Sequence, residues 1–538
     1  MRRPTVLFDR VRSAVSFGLQ TLRVIRDAGV LHPLRPDRAV RLPLQFVRFG
    51  ASPAVAGAAA ALRFPDRTAL IDELGSLTFA ELEARSAAQA TALRPHLAEG
   101  HKVGILCRNH RGFVEAALAG SRLGHDVVFL NTDFSAPQLG RVLADERIGV
   151  LVHDEEFAGV VAATPFTGTR VVAWHDGPVA HRTLDELAAG EAEPLVAPRA
   201  GKVVILTSGT TGPPKGASHD FGLVGIMQQS FGHLLRVPLR SGEPVLVGPP
   251  LFHGLGLTYL LASLGLGSPV VLLRRFDPED ALGAIELHEV GAFIAVPVML
   301  QRLLNVPGTQ DTSSLRVVLS GGAALHPNLA TRFMDRFGDL LYNAYGATET
   351  GWATIAVPAD LREAPGTVGR PTLGVVARIL SGDGVELPQG EIGTLFLDSG
   401  LKFSGYTGGG TKDYVDGLIS TGDLGHVDPE GRIFIDGRAD DMIVSGGENV
   451  FPGEVEDLLE GHPGVAEVAV GGVDDEEFGQ RLAAWVVRAE GSAVTGDDLK
   501  AQVRSQLARY KVPRDVTFVT ELPRTTTGKI KHGVLREG

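Results

Sequence analysis

Short apolar runs, KVGILC, HDVVFLN, GVLVHD, KVVILT, SPVVLL and GAFIAV, punctuate the chain from about Phe64 onward and alternate with longer stretches of helical character. Val/Ile/Leu runs this short and continuous predict strands buried on both faces, and their alternation with helices predicts α/β units with a parallel sheet. After residue 375 the spacing tightens. VVARIL, GTLFL and RIFIDG are split by the turn segments SGDG and DPEG, which predicts a β subdomain. Past GRADDMI, the segments VEDLLE, AEVAVGGV, RLAAWVV, LKAQVRSQL and VTFV predict helix, strand, strand, helix and strand, a small α+β domain with its own core. The expected fold is α/β: a large N-terminal domain of α/β sheets plus a β subdomain, with a small mobile α+β C-terminal domain.

The first fifty residues read differently. Within residues 4–31, Val6, Leu7, Phe8, Val11, Val15, Phe17, Leu19, Leu22 and Ile25 recur at roughly helical spacing with arginines between them, which predicts an amphipathic helix. Residues 1–50 hold ten arginines against three aspartates, a charge of +7 in a chain whose net charge is -12. Two fates fit such a helix: peripheral contact with an anionic membrane through residues 1–50, or docking on the protein's own surface. The expected division is a basic extension over 1–50, a large domain over 51–437 and a small domain over 438–538.

At 538 residues the chain exceeds one ordinary core. The acidic balance argues against nucleic acid as a partner, since polyphosphate binding needs concentrated positive charge. Cys107 is the only cysteine, so no intramolecular disulfide forms and a Cys-rich zinc site lacks its ligands. No secretory signal or bilayer-spanning run is present, and a cytoplasmic location is expected.

The segment TSGTTGPPKG, Thr207 to Gly216, follows VVIL and precedes a stretch that reads as helical. Its glycines let backbone amides converge on an anion, the hydroxyls of Thr207, Ser208, Thr210 and Thr211 add donors, and Lys215 adds a point charge suited to phosphate. It is not a Walker A sequence, because Pro214 precedes the lysine. Taken alone, such a loop is more often a surface connection.

The segment closely resembles the signature of the acyl-adenylate-forming superfamily, and further family motifs follow in order: PLFHG with His253, YGATE from Tyr345 to Glu349, STGDLG with Asp423, GRADD from Arg438, SGGENV, and PRTTTGK ending at Lys529. The resemblance covers roughly residues 55 to 538 and is strongest to actinobacterial fatty-acyl-CoA synthetases. It implies ATP, Mg2+ and coenzyme A, with a small-molecule acid as substrate, and it admits a homodimer. Thr207, Ser208, Gly209, Thr210, Thr211, Gly212 and Lys215 would hold the leaving pyrophosphate. Gly321, Gly322 and Ala323 would wall the nucleotide pocket together with Asn343, Ala344, Tyr345 and Gly346. Tyr345 would lie against adenine, and Asp423 would bind the ribose hydroxyls, with Arg438 and Ile435 beside it. Glu349 and Thr207 would hold Mg2+, and Thr348 and Glu349 belong with the catalytic set. His253 would border the acyl pocket as an orienter, not a base, since an ionised carboxylate needs no proton removed. Lys529 would bridge the carboxylate and the α-phosphate. Asp440 would be the hinge that later presents Gly446 and Gly447 to coenzyme A.

PLFHG lacks the Asp that amino-acid-activating relatives carry, and little follows Lys529, so a freestanding ligase of a non-amino acid is expected. The leading expectation is a hydrophobic, fatty acid joined to coenzyme A. The alternatives are an aryl acid or another oxoacid such as nitrous acid, with an amine or a carrier-protein thiol as acceptor, and a non-catalytic nucleotide sensor, which the intact motif set disfavours.

Overall fold

The computed structural model describes residue 26 and residues 28–29, 35–207, 215–220, 223–347, 350–399, 402–406, 413–438, 443–445, 448–475, 479–525 and 528–537. Among them, the strands form sheets of nine, seven, five and five strands. The apolar runs from KVGILC to GAFIAV all become strands.

In the seven-stranded sheet, Lys102–Leu106 lies between Val127–Phe129 and Ile148–His153, all parallel, and Val203–Thr207 extends the sheet beyond Val127–Phe129. Here one expectation fails. The stretch after TSGTTGPPKG is not helical at once: Lys215–Asp220 turns back antiparallel, with Lys215 opposite Thr207, and the helix starts only at Leu223. KGASHD carries no apolar helical stripe, and its backbone groups are satisfied by pairing with Val203–Thr207 on one side and Lys402–Tyr406 on the other.

The nine-stranded sheet is wound in two directions from Val245–Val247. Its neighbours Val270–Val271 and Ala292–Ala295 are both parallel to it and lie on opposite sides. Val317–Gly321 and Leu341–Ala347 follow beyond Ala292–Ala295. Such a reversal opens a crevice outside the carboxyl ends of the strands. One core joins the two large sheets, with Val103, Ile105 and Phe129 in the same buried cluster as Val245, Ile294 and Leu319. Each such side chain contributes about 1.5–3 kcal/mol on burial. Cys107 is part of this core, and burial pushes its thiol pKa well up, so its role is packing.

Residues 376–438 form an antiparallel sheet of Val376–Leu380, Gly393–Asp398, Tyr414–Val415, Leu418–Val427 and Ile433–Arg438. The last sheet runs from Ile443–Ser445 to Asp515–Phe518 and is covered by the helices Pro452–Glu460 and Gly496–Gln506, with Val455, Leu459, Val486 and Leu499 in its core. The helix expected over residues 4–31 lies outside the described residues apart from 26, 28 and 29. A helix at Pro36–Phe49 follows it, anchored by the buried Phe49 and by Arg48, which donates to the Leu195 carbonyl at 2.9 Å. Among the described residues no helix is long and apolar enough to cross a membrane.

The C-terminal part touches the rest through a polar contact. His326, the residue before helix Pro327–Phe337, places Nδ1 2.8 Å from Asp457 Oδ1 and 3.3 Å from Glu460 Oε2, both on helix Pro452–Glu460. Asn328 Nδ2 donates to the Glu460 carbonyl at 3.2 Å. Although burial opposes the charge, the carboxylates of Asp457, Glu460 and Glu456 raise the His326 pKa to about 9, while burial raises that of Glu456 to about 7. A raised pKa means stability that is complete below the ordinary value and lost as pH climbs through the shifted one. The contact should therefore weaken as pH rises from about 6.5 through about 9 and His326 loses its proton. His326→Ala should loosen it by about 1–2 kcal/mol and abolish that pH step. Hydrogen exchange of helix Pro452–Glu460 as a function of pH reads both effects, and an unchanged profile in the variant would contradict the latch.

Candidate active site

The crevice is built from chain leaving strand ends. After Val245–Val247 the chain runs through Gly248, Pro249 and Pro250 to His253, which caps the helix Gly254–Leu266. Two prolines deny this segment internal amide donors, and Asn109 fixes it from the other sheet. The Asn109 Nδ2 donates to the Pro249 carbonyl at 2.9 Å, and its Oδ1 accepts from the Leu251 N–H at 2.8 Å. His253 is thereby held at the mouth of the crevice. Burial, reinforced by the positive charge of Lys529, pushes its pKa down to about 3, so the imidazole is neutral throughout the physiological range.

The next strand ends supply the neighbouring wall. Parallel register sets Gly321 beside Ala344, and Gly322 follows with φ +81°, a conformation open to glycine at no steric cost. Ala323 is half-buried in the same turn. Asn343 is buried and spends its amide on the Thr367 carbonyl at 3.1 Å, a bond internal to the fold. Gly346 stands opposite Trp352, and a Cβ at Gly346 would lie 2.1 Å from the Gly351 carbonyl oxygen, so this crossing admits glycine alone.

Tyr345 ties this edge to the sheet of residues 376–438. Its hydroxyl donates to Asp423 Oδ2, while Arg438 Nη1 donates to Asp423 Oδ1 at 3.0 Å. Asp423 and Arg438 are cross-strand partners, so the sheet register itself makes the ion pair. Burial, with the Asp423 charge beside it, raises the Tyr345 pKa well above its usual value, and the phenol stays protonated as a donor. Ile435 lies half-buried on the same strand as Arg438.

Lys529 reaches the crevice from the C-terminal part. Arg524 and Ile530 pair as an antiparallel bridge, and the turn between them is tied by the Gly528 N–H to the Thr525 carbonyl at 2.8 Å and by Arg524 Nη1 to the Gly528 carbonyl at 2.8 Å. Gly528, at φ +81°, lies so close to the strand end after Ala292–Ala295 that a Cβ would meet Val298 Cγ1 at 2.8 Å and Val296 Cγ2 at 3.4 Å. The turn is thus seated at the switch point, with the exposed Lys529 close enough to His253 to shift its pKa.

Of the sequence-derived set, the structure gathers His253, Gly321, Gly322, Ala323, Ala344, Tyr345, Gly346 and Lys529 along one sheet edge, with Asp423, Arg438 and Ile435 joined to it through Tyr345. Thr207 and Lys215 are register partners flanking the residues 208–214. Ser208, Gly209, Thr210, Thr211, Gly212, Thr348, Glu349, Asp440, Gly446 and Gly447 lie outside the described residues.

Sequence reading passed over Asn109, Val296, Val298 and His233. Asn109 sits in CRNHRG beside the lone cysteine, and a polar amide after a buried strand was an available signal. His233 lies on helix Leu223–Arg236, where its Nε2 sits 2.5 Å from the Tyr259 hydroxyl, with Trp352 against both rings.

Residues 58–407 match the AMP-binding enzyme family, and residues 454–529 match the AMP-binding enzyme C-terminal domain. A feruloyl-CoA synthase of an Amycolatopsis species is 37% identical over 483 residues, spanning 88% of this chain and 96% of the relative. A fatty acid:acyl-carrier-protein ligase of Streptomyces coeruleorubidus is 32% identical, spanning 88% of this chain and 93% of its own. The crystal structure of ATP-bound MatB from Rhodopseudomonas palustris shares the fold with a TM-score of 0.80, at 30% identity, over 90% of this chain and 98% of that one. Across nearly its whole length, and with its motif residues on one sheet edge, the chain belongs to the AMP-binding enzymes, the adenylate-forming acid–thiol ligases.

Proposed function

We propose that this chain activates a hydrophobic carboxylic acid with ATP and passes the acyl group to coenzyme A. The placement of Lys529 carries this reading: a cation from the C-terminal turn enters the switch-point crevice next to a neutral imidazole. In the first half-reaction a carboxylate oxygen attacks the α-phosphate, the bond to pyrophosphate breaks, and acyl-AMP forms. Two anions must approach each other, so a cation between them lowers the barrier. Lys529 takes that role. His253 walls the acid's carboxyl end, and Asp423, already polarised by Tyr345 and Arg438, receives the ribose hydroxyls. Thr207, Lys215 and the loop between them hold the pyrophosphate. Glu349 and Thr207 offer the hard oxygen donors that Mg2+ prefers, and the metal would offset the leaving charge.

In the second half-reaction the thiol of coenzyme A displaces AMP from the acyl carbon. Rotation of the C-terminal part about Asp440 would withdraw Lys529 and bring in Gly446 and Gly447. The feruloyl-CoA synthase supports coenzyme A as acceptor, whereas the carrier-protein ligase supports a carrier thiol. Both acceptors present the same pantetheine thiol. Lys529→Ala should lower pyrophosphate release about 10²–10³-fold while leaving ATP affinity nearly unchanged, as measured by single-turnover kinetics beside calorimetric titration. A variant with the parent rate would sink the assignment.

Peripheral contact with anionic lipid through residues 1–50 is part of the same proposal. On helix Pro36–Phe49, Val40, Leu44 and Val47 are 71%, 50% and 78% exposed at positions i, i+4 and i+7, an apolar stripe within a segment of charge +7. Co-sedimentation with phosphatidylserine vesicles should fall at least fivefold when Val40, Leu44 and Val47 are all changed to Ser. Equal binding by the variant would remove this surface from the proposal.

A further inference from the structure

A cavity of about 570 Å³ lies at the far edge of the seven-stranded sheet. The edge strand there, Thr169–Val172, is parallel to Ile148–His153, and on its other side the described residues add only a bridge from Val172 to Thr183. Four strand spacings, about 19 Å, separate this edge from Val203–Thr207. The cavity is therefore distinct from the crevice that gathers the motif residues.

The base of the cavity is apolar. Leu93 ends helix Phe79–Leu93, Val171 lies on the edge strand and Leu187 on helix Leu184–Ala188, and all three are buried. Phe166 adds an aromatic wall. Its ring folds against Gly168, where a Cβ would lie 2.5 Å from Phe166 Cζ and 2.5 Å from the Gly149 carbonyl oxygen, a close approach that only glycine permits.

The rim is cationic. Arg170 Nη2 donates to the Phe166 carbonyl at 3.0 Å, which anchors the guanidinium beside the ring. The Val172 N–H donates to the Arg182 carbonyl at 2.9 Å, and this bond brings His181 and Arg182 back to the cavity, with His96 entering from the turn after Leu93. Among the described residues, Arg182, His181 and His96 make no side-chain hydrogen bond or ion pair, and no carboxylate lines the cavity. Other arginines of this chain are matched: Arg108, Arg274 and Arg275 share Glu156, and Arg362 holds Asp335 and Asp339.

Cations gathered around one space without a counter-ion favour an anion. One guanidinium satisfies a carboxylate in a bidentate pair, whereas a phosphate dianion can occupy two and still accept from an imidazole. The apolar base and the Phe166 ring suit an aromatic body behind the phosphate, and the volume is that of a small-molecule site. We propose that this cavity binds a soluble organic phosphate, a phosphomonoester carried on one or two aromatic rings. Arg170 and Arg182 hold the phosphate, and Phe166, Leu93 and Leu187 take the rings. The site stands apart from the ligase reading and does not depend on it.

The probe is 1-naphthyl phosphate, titrated calorimetrically into the full chain with ATP at saturation, so that the crevice is filled; a separate titration of ATP alone reports on the crevice. One probe per chain should bind. Arg170→Gln combined with Arg182→Gln should weaken it about tenfold or more and leave ATP affinity at the parent value. 1-Naphthol, which has the rings without the charge, should not bind, and 1-naphthoate, a monoanion, should bind about fivefold or more weakly. No binding by the parent, undiminished binding by the double variant, or mutual exclusion of probe and ATP overturns the site. Naphthoate binding as tightly as the phosphate overturns the dianion. Arg182 is exposed and has no partner to lose, so Arg182→Gln alone decides the matter where the double variant folds poorly, and an unchanged affinity there overturns the proposal.

Discussion

The reversal of winding at strand Val245–Val247 is the constraint on which the molecule depends. Chain leaving Val245–Val247 crosses to Val270–Val271 on one side, and chain leaving Ala292–Ala295 crosses to Val317–Gly321 on the other, so the carboxyl ends of these two adjacent strands flank a switch point. Chain leaving the first strand becomes the His253 segment, and chain leaving the second becomes the Val296–Val298 seat for the C-terminal turn. The strands that follow add Gly321–Ala323 and Tyr345 to the same edge. A site composed of strand ends inherits the rigidity of the sheet, which the proposed chemistry on two anions would need.

Asn109 extends that rigidity across the two large sheets. Its amide binds the Pro249 carbonyl and the Leu251 N–H, and a buried amide bonded at both ends fixes the segment's position more tightly than apolar packing would. Tyr345 performs the corresponding task at the other end by joining the nine-stranded sheet to Asp423. Tyr345 and Asp423, for which chemistry is proposed, are thus cross-links of the architecture as well, and part of their cost to stability if lost comes from the partner left unsatisfied.

What the sequence made legible follows from how local each signal is. Val- and Ile-rich runs such as GVLVHD and GAFIAV declare strands because their burial on both faces leaves no polar alternation, whereas the glycine, hydroxyl and lysine content of Thr207–Lys215 points to anion chemistry only beside the motifs that follow it. KGASHD was misread because its strand state comes from two flanking partners and not from its own pattern. Asn109 and Pro249 are 140 residues apart, and His326 and Asp457 are 131 apart. No spacing rule reaches such pairs. The His233–Tyr259–Trp352 cluster was illegible for the same reason, since only the packing of three separate elements brings these rings together.

The electrostatics of closure follow from one asymmetry. Burial lowers the His253 pKa to about 3, with Lys529 contributing in the same direction. A protonated His253 would repel Lys529 from the crevice, so the apolar enclosure of the imidazole is what lets the lysine approach. With the ring neutral, Lys529 is the cation that the proposed adenylation would set before the carboxylate, and it is carried on a turn whose backbone is fixed by Gly528 against Val296 and Val298. The docking of the C-terminal part is otherwise polar, through His326, Asn328, Asp457 and Glu460. An apolar seal of the same extent would resist water and hold the turn in place. Charge and hydrogen bonds that water can replace would allow the turn to leave again, as the proposed second half-reaction requires.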